Sequence, residues 1–199
     1  MRSPKNVLES LTSKAASKDY HYQRLYRNLY NPAFFLLAYE RIQAKPGNMT
    51  AGSDGKTIDG MSMKRIEVLI QKLKGFSYQP KPARRTYIPK ATGKTRPLGI
   101  PSFDDKLVQE VVRMILESIY EPTFHVTSHG FRPKRSCHTA LQYIKRNYTG
   151  VKWFVEGDIK GCFDNVDHHV LVQILRRRIA DEHFIGLIWK FLKAGYVED

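Results

Sequence analysis

The sequence is short of cysteine, of acidic residues and of long apolar runs, and each shortage narrows what the chain can be. Only two cysteines, Cys137 and Cys162, occur in its 199 residues. They lack C-x-x-C spacing, so neither a structural zinc site nor a disulfide framework is implied, and reduced thiols in an intracellular compartment are expected. No apolar stretch approaches the roughly 18 residues of a membrane span. The start, Met1-Arg2-Ser3-Pro4, has no apolar region behind its basic residue of the kind a signal peptide carries. A soluble, cytoplasmic chain without a membrane partner is the resulting expectation. Internal repeats and low-complexity segments are absent too. Acid is scarce relative to base: 19 Asp and Glu stand against 33 Lys and Arg, a formal charge of +14. Such an excess points to a polyanionic partner, a nucleic acid first of all.

What is present is enough for a core. Hydrophobic residues make up 42% of the chain and charged ones 26%, a balance that excludes disorder by composition and fits one domain or one and a half. From about Asn6 to Ile42, Leu25, Leu29, Phe34 and Leu37 support short amphipathic helices broken at Asn31-Pro32. Glycines and small polar residues between Lys45 and Lys56 make a loop, and Ile66, Leu69, Ile70 and Leu73 trace a helix over about Met63 to Leu73. Between Lys81 and Arg96 lie six basic residues, Lys81, Arg84, Arg85, Lys90, Lys94 and Arg96, and no acid. They sit on a predicted hairpin, Arg85 to Ile88 and Thr95 to Ile100, whose Pro97 cannot donate to a ladder and so belongs on an edge strand. Ser102 and Asp105 have the S-x-x-D form of a capping box ahead of an apolar stripe from Leu107 to Ile119. Further on, a glycine- and proline-punctuated loop, His129 to Ser136, leads into a helix through about Arg146. Val151 to Glu156 reads as a buried strand ending at Gly157-Asp158, and helices follow over about Asp167 to Arg178 and Glu182 to Lys193.

Several side chains have both a chemical and a plain structural reading. Asp158, at the end of an apolar strand, is placed as a ligand of a hard cation such as magnesium would be, and equally as a capping aspartate. Asp164 and Asp167 are read as turn or helix caps rather than partners of Asp158. His125, His129, His138, His168 and His169 lack zinc-ligand spacing and are read as hydrogen-bonded or exposed histidines. Arg176-Arg177-Arg178 suits an RNA contact and a solvated helix end alike. Arg132, Lys134 and Arg135 lie on the predicted loop and are expected to touch a template or RNA backbone. Tyr20, Tyr22, Tyr26 and Tyr30, beside Arg24 and Arg27, fit stacking on RNA or a buried stripe on one helix face.

Three stretches make the sequence recognisable: Arg84 to Pro101 (RRTYIPKATGKTRPLGIP), Ser128 to Leu141 (SHGFRPKRSCHTAL) and Phe154 to His168 (FVEGDIKGCFDNVDH). Together, and in this order, they resemble the group II intron-encoded reverse transcriptase, or maturase. The loop from Thr50 to Gly55 resembles that family's N-terminal extension loop, with Ser53 where an apolar residue is more usual. The resemblance implies an α+β right-hand polymerase, of which this chain supplies the fingers and a partial palm: mostly helical, with a fingers β-hairpin and an incomplete palm sheet. Its implied divisions are an N-terminal extension over 1–60, fingers over 61–127 and the start of the palm over 128–199. Asp158 is implied as the catalytic carboxylate on magnesium, with the Ile159 carbonyl. Lys90, Arg96 and Arg84 would grip the triphosphate, and Phe163 would gate the sugar. Arg24 and Arg27, with Arg132, Lys134 and Arg135, are assigned to RNA. Implied partners are group II intron RNA, an RNA template with a DNA primer, and deoxynucleotide triphosphates, with a homodimer as a further assembly. The Tyr-x-Asp-Asp turn that completes the family's two-metal site does not occur before Asp199, so this chain alone is expected to bind RNA and not to polymerise. The alternatives are a reverse transcriptase of the retron or diversity-generating lineages, and an RNA-binding module with a splicing function only.

Overall fold

The computed structural model describes residues 2–45, 47–89 and 93–198. Helix α1 (Pro4–Lys14) begins where the Ser3 hydroxyl accepts from the Asn6 amide and Pro4 occupies the first turn, a position where its missing N–H costs nothing. The break at Asn31-Pro32 is where the sequence puts it: a 3-10 turn, Tyr26–Tyr30, ends at Asn31, whose side chain accepts from the Ala33 amide and starts α2 (Pro32–Gln43). Ahead of it the helical reading fails. Arg24 takes a left-handed φ of 53°, and Tyr22 lies in an isolated bridge to Ile179. Tyr22, Tyr26 and Tyr30 therefore share no continuous helix face, although Tyr22 and Tyr26 are both buried.

α3 (Met63–Lys74) and α4 (Phe103–Tyr120) follow the apolar periodicity closely. Leu107, Val108, Val111, Ile115 and Ile119 of α4 are all fully buried, and α4 packs on α1 and α2. Each such side chain contributes about 1.5–3 kcal/mol of burial, so α4 is the axis of the core. The S-x-x-D cap forms at its start, the Ser102 hydroxyl accepting from the Asp105 amide.

Strands β1 (Ala83–Pro89) and β2 (Thr95–Ile100) pair antiparallel with Tyr87 opposite Pro97. A third strand, β3 (Tyr196–Glu198), adds parallel to the other side of β1, giving the order β2-β1-β3. Pro97 therefore sits on an edge, as its missing donor requires. The remaining helices, α5 (Cys137–Asn147), α6 (His168–Arg176) and α7 (Glu182–Lys193), are capped by Ser136, Asp167 and Asp181.

The expected buried strand at Val151 to Glu156 is not formed. No regular structure occurs from 151 to 159, and Trp153 and Val155 are 88% and 99% exposed. Among the described residues no strand lies beside this run. An isolated extended segment can neither satisfy its backbone nor bury its side chains. No helix among the described residues is long and apolar enough to cross a membrane.

Candidate functional site

The basic hairpin is fixed at its base by the loop that precedes α3. Arg84 Nε donates to the Ala51 carbonyl at 3.1 Å, the Ser53 hydroxyl donates to the Pro82 carbonyl at 2.6 Å, and Lys81 Nζ meets Asp54 at 3.0 Å. Ser53, the residue that departs from the family pattern, is thus spent on a backbone carbonyl. Gly52 is buried against the start of α4, where an added Cβ would lie 2.7 Å from Ser102 Cα. Burial raises the Asp54 carboxyl, but hydrogen bonds from Lys81 and the Lys56 amide and the Lys81 charge outweigh it and hold it below the usual carboxylate value. Arg96 is exposed on β2. Lys90 lies outside the described residues. On the other flank of β1, Arg85 stands over the Tyr196 ring at 3.3 Å, and the Tyr87 hydroxyl donates to Glu198 at 2.8 Å.

The loop carrying Asp158, Ile159 and Phe163 is solvent-facing, with Phe163 91% exposed. It closes on itself: Gly161 adopts a φ of 61°, and the Asn165 amide donates to the Lys160 and Gly161 carbonyls. Among the described residues no group of three or more His, Cys, Asp or Glu side chains could hold a metal ion. Asp158 with the Ile159 carbonyl offers hard oxygen donors suited to magnesium, yet these are the beginning of a site rather than a whole one. Asp167 serves as a cap, accepting from the His169 and Val170 amides.

Arg24 and Arg27 are exposed and line a cleft of about 540 Å³ together with Tyr26, Tyr30 and His183. Its acids are already committed: Asp181 accepts from the Tyr26, His183 and Phe184 amides, and Glu182 holds Arg176 at 2.6 Å. Among the described residues neither Arg24 nor Arg27 has a hydrogen-bond or ion-pair partner. Beside the cleft, Phe76 stacks on both Tyr26 and His183, at 5.5 and 4.4 Å between centroids.

The 132–135 loop is arranged differently from a free basic tongue. Arg132 grips both oxygens of Glu121 and donates to the His125 and Ser128 carbonyls, leaving its side chain 9% exposed. Arg135 donates to the Val126 carbonyl, while Lys134 is exposed. The arginine triplet also splits, since Arg176 pairs with Glu182 and Arg178 donates to the Ala15 carbonyl beneath the Tyr22 ring. His125 and His129 bond to Thr127 and Thr139 hydroxyls. Sequence reasoning missed a basic cleft beside α3, formed by Lys56, Lys64, Arg65 and Lys72. Lys64 and Lys72, eight residues apart on one helix side, were the available signal.

A family model described as reverse transcriptase (RNA-dependent DNA polymerase) matches residues 88–199. The group II intron-encoded protein LtrA of Lactococcus lactis subsp. cremoris is 51% identical over 195 residues, which are 97% of this chain and 33% of LtrA. A 91 kDa protein in the cob intron of Schizosaccharomyces pombe is 48% identical over 201 residues, 98% of this chain and 25% of that protein. Nuclear intron maturase 1, mitochondrial, of Arabidopsis thaliana is 42% identical over 93 residues, 47% of this chain and 13% of that protein. The chain therefore spans about a third or less of the length of these relatives. Proteins of this kind use divalent metal ions, and the matched span includes β2, Asp158 and Phe163: the chain belongs to the reverse transcriptase family.

Proposed function

We propose that this chain is the fingers and the opening of the palm of a group II intron-encoded reverse transcriptase and maturase, and that RNA binding is the activity it performs by itself. The division runs over 1–60 for the N-terminal extension, 61–127 for the fingers and 128–199 for the start of the palm. The observation that carries the reading is the 51% identity to LtrA over 97% of the chain, in line with an α+β fold that carries a basic hairpin.

Asp158 and the Ile159 carbonyl would hold magnesium, which supplies charge neutralisation on transferring phosphates. Arg96 and Lys90 take the triphosphate, with Arg84 placing the strand against the preceding loop. Phe163 lies under the sugar of the incoming deoxynucleotide. Arg24, Arg27 and Lys134 meet RNA phosphates, whereas Arg132 and Arg135 act chiefly by holding the loop that presents Lys134. Group II intron RNA, a template–primer duplex and deoxynucleotide triphosphates are the proposed partners. Self-association through the exposed Trp153, Phe154 and Val155 is proposed alongside them, since apolar surface of this kind seeks a cover.

Among the described residues no group of three or more His, Cys, Asp or Glu gathers at Asp158, and a two-metal mechanism needs several oxygen ligands, which favours the RNA-binding reading for this chain. Primer extension by the purified chain on an RNA template should therefore not exceed that of an Asp158→Ala control, while both bind RNA equally. Nucleotide incorporation above the control would overturn the division of labour.

A further inference from the structure

The cleft beside α3 is built to take a phosphate, and none of its residues belongs to the interfaces assigned above. It has a volume of about 300 Å³ and is lined by Lys56, Ser62, Lys64, Arg65, Lys72 and Asp104. Lys56, Lys64 and Lys72 are exposed, and among the described residues their ammonium groups have no hydrogen-bond or ion-pair partner. The single acid in the wall is taken, because Asp104 Oδ1 accepts from Arg65 Nε at 2.7 Å. Arg65 and Asp104 thus cancel, and three lysine charges remain.

Arg65 adds a more specific signal. Its Nη1 donates to the Thr57 and Asp59 carbonyls, fixing the guanidinium in one orientation, whereas its Nη2 is buried and has no acceptor among the described residues. A buried donor left unsatisfied costs about 1–3 kcal/mol, and an anion oxygen entering the cleft would satisfy it. Ser62 caps the N-terminus of α3 at the same place, so the positive end of a 12-residue helix adds to the field. A guanidinium held in one orientation beside three unpaired ammonium groups suits an oxyanion of more than one negative oxygen, such as a phosphate.

We infer that this cleft is a second RNA-backbone site, in which Arg65 Nη2 and the three lysines hold a phosphodiester of bound RNA. The inference rests on the RNA-binding reading and places part of the grip beside α3. Its test uses a fluorescein-labelled hairpin RNA, the full chain, and the triple variant Lys56→Gln/Lys64→Gln/Lys72→Gln across a potassium chloride series. Among the described residues the ammonium groups of those lysines make no bond, so the variant should melt as the parent does. Each neutralised contact lowers the slope of log K against log salt by about 0.7–0.9, so the triple variant should lose about 2–3 from it and bind more weakly at every low-salt point. An unchanged slope in the triple variant, with a reduced one in Arg24→Gln/Arg27→Gln, would overturn this site while leaving RNA binding standing. A parent chain that binds no RNA would overturn both. Inorganic phosphate titrated against the Arg65 Nε–H resonance separates the sources: a shift with phosphate but no change of RNA slope would make this a small-anion site and refute the RNA assignment.

Discussion

At the scale of single residues, the most consequential acid in the fold is not a catalytic one. Asp105 is buried and accepts from the Tyr78 hydroxyl, the Ser102 hydroxyl and the Lys81 amide, tying α4 to the chain that enters β1. Asp105→Ala strands those donors, so it should cost about 2–4 kcal/mol in urea unfolding. Burial, then the Asp105 charge, pushes the Tyr78 phenol far above the ordinary value of 10.0, and burial with Tyr30 and Asp181 nearby pushes Tyr26 up to about 12. Both folded pKa values lie above the unfolded one, so unfolding releases protons at high pH. Their stabilisation is whole below about pH 10 and is lost as pH rises further; the urea midpoint should fall above that pH, and less steeply in Tyr78→Phe. Arg132, read from the sequence as a contact for RNA, is also tied into the fold by Glu121. Its charged, bidentate bonds to Glu121 mean that Arg132→Gln should cost about 1.5–3 kcal/mol, read by thermal unfolding. A residue serving RNA alone would leave the melting curve unmoved.

At the scale of elements, the sequence announced those whose stability is local and stayed silent on those that depend on distant partners. α3, α4 and the hairpin were legible because their caps and apolar periods are written within a few residues, and Pro97 even placed β2 on the edge. Three failures have one physical origin. The run from Val151 is apolar enough for a strand, but a strand needs a neighbour, and none lies beside it among the described residues. β3 is three residues long, too short for any period to reveal, and exists because β1 offers it an edge. Tyr22 has helical spacing to Tyr26, yet it is held by the Arg178 carbonyl across the molecule, its amide donating at 2.8 Å. Gly52 is the comparable case in a loop: its role is close approach to Ser102, which only the assembled structure reveals. Gly52→Ala should therefore lower the melting temperature and loosen the loop from the base of the hairpin, raising amide exchange at Ala83 and Arg84. Gly55→Ala tests the opposite situation, because nothing lies within reach of its added methyl. Its only strain is the positive φ, so the damage should stay local to the loop.

At the scale of the whole molecule, the net charge of +14 divides between cations that are paired and cations that are not. Arginines that face acids or carbonyls, such as Arg65, Arg113, Arg132 and Arg178, hold the fold together. Arg24, Arg27, Lys56, Lys64 and Lys72, whose charged groups have no partner among the described residues, line clefts. Composition alone pointed to a polyanion but could not sort one group from the other, because pairing is a property of the folded chain. The resemblance named the candidate site residues, and the fold adds why the hairpin stands where it does, while Asp158, Ile159 and Phe163 lie on an exposed loop. RNA recognition by the chain is therefore the claim on which everything else depends. It is tested most directly by the affinity of the purified chain for a folded group II intron RNA and for an unrelated structured RNA of equal length, across a salt series. The account predicts tighter binding to the intron RNA than to the unrelated RNA, a difference that persists as salt rises. Equal affinities and equal slopes for the two RNAs would reduce these surfaces to a general electrostatic grip and contradict a maturase function for this part of the protein.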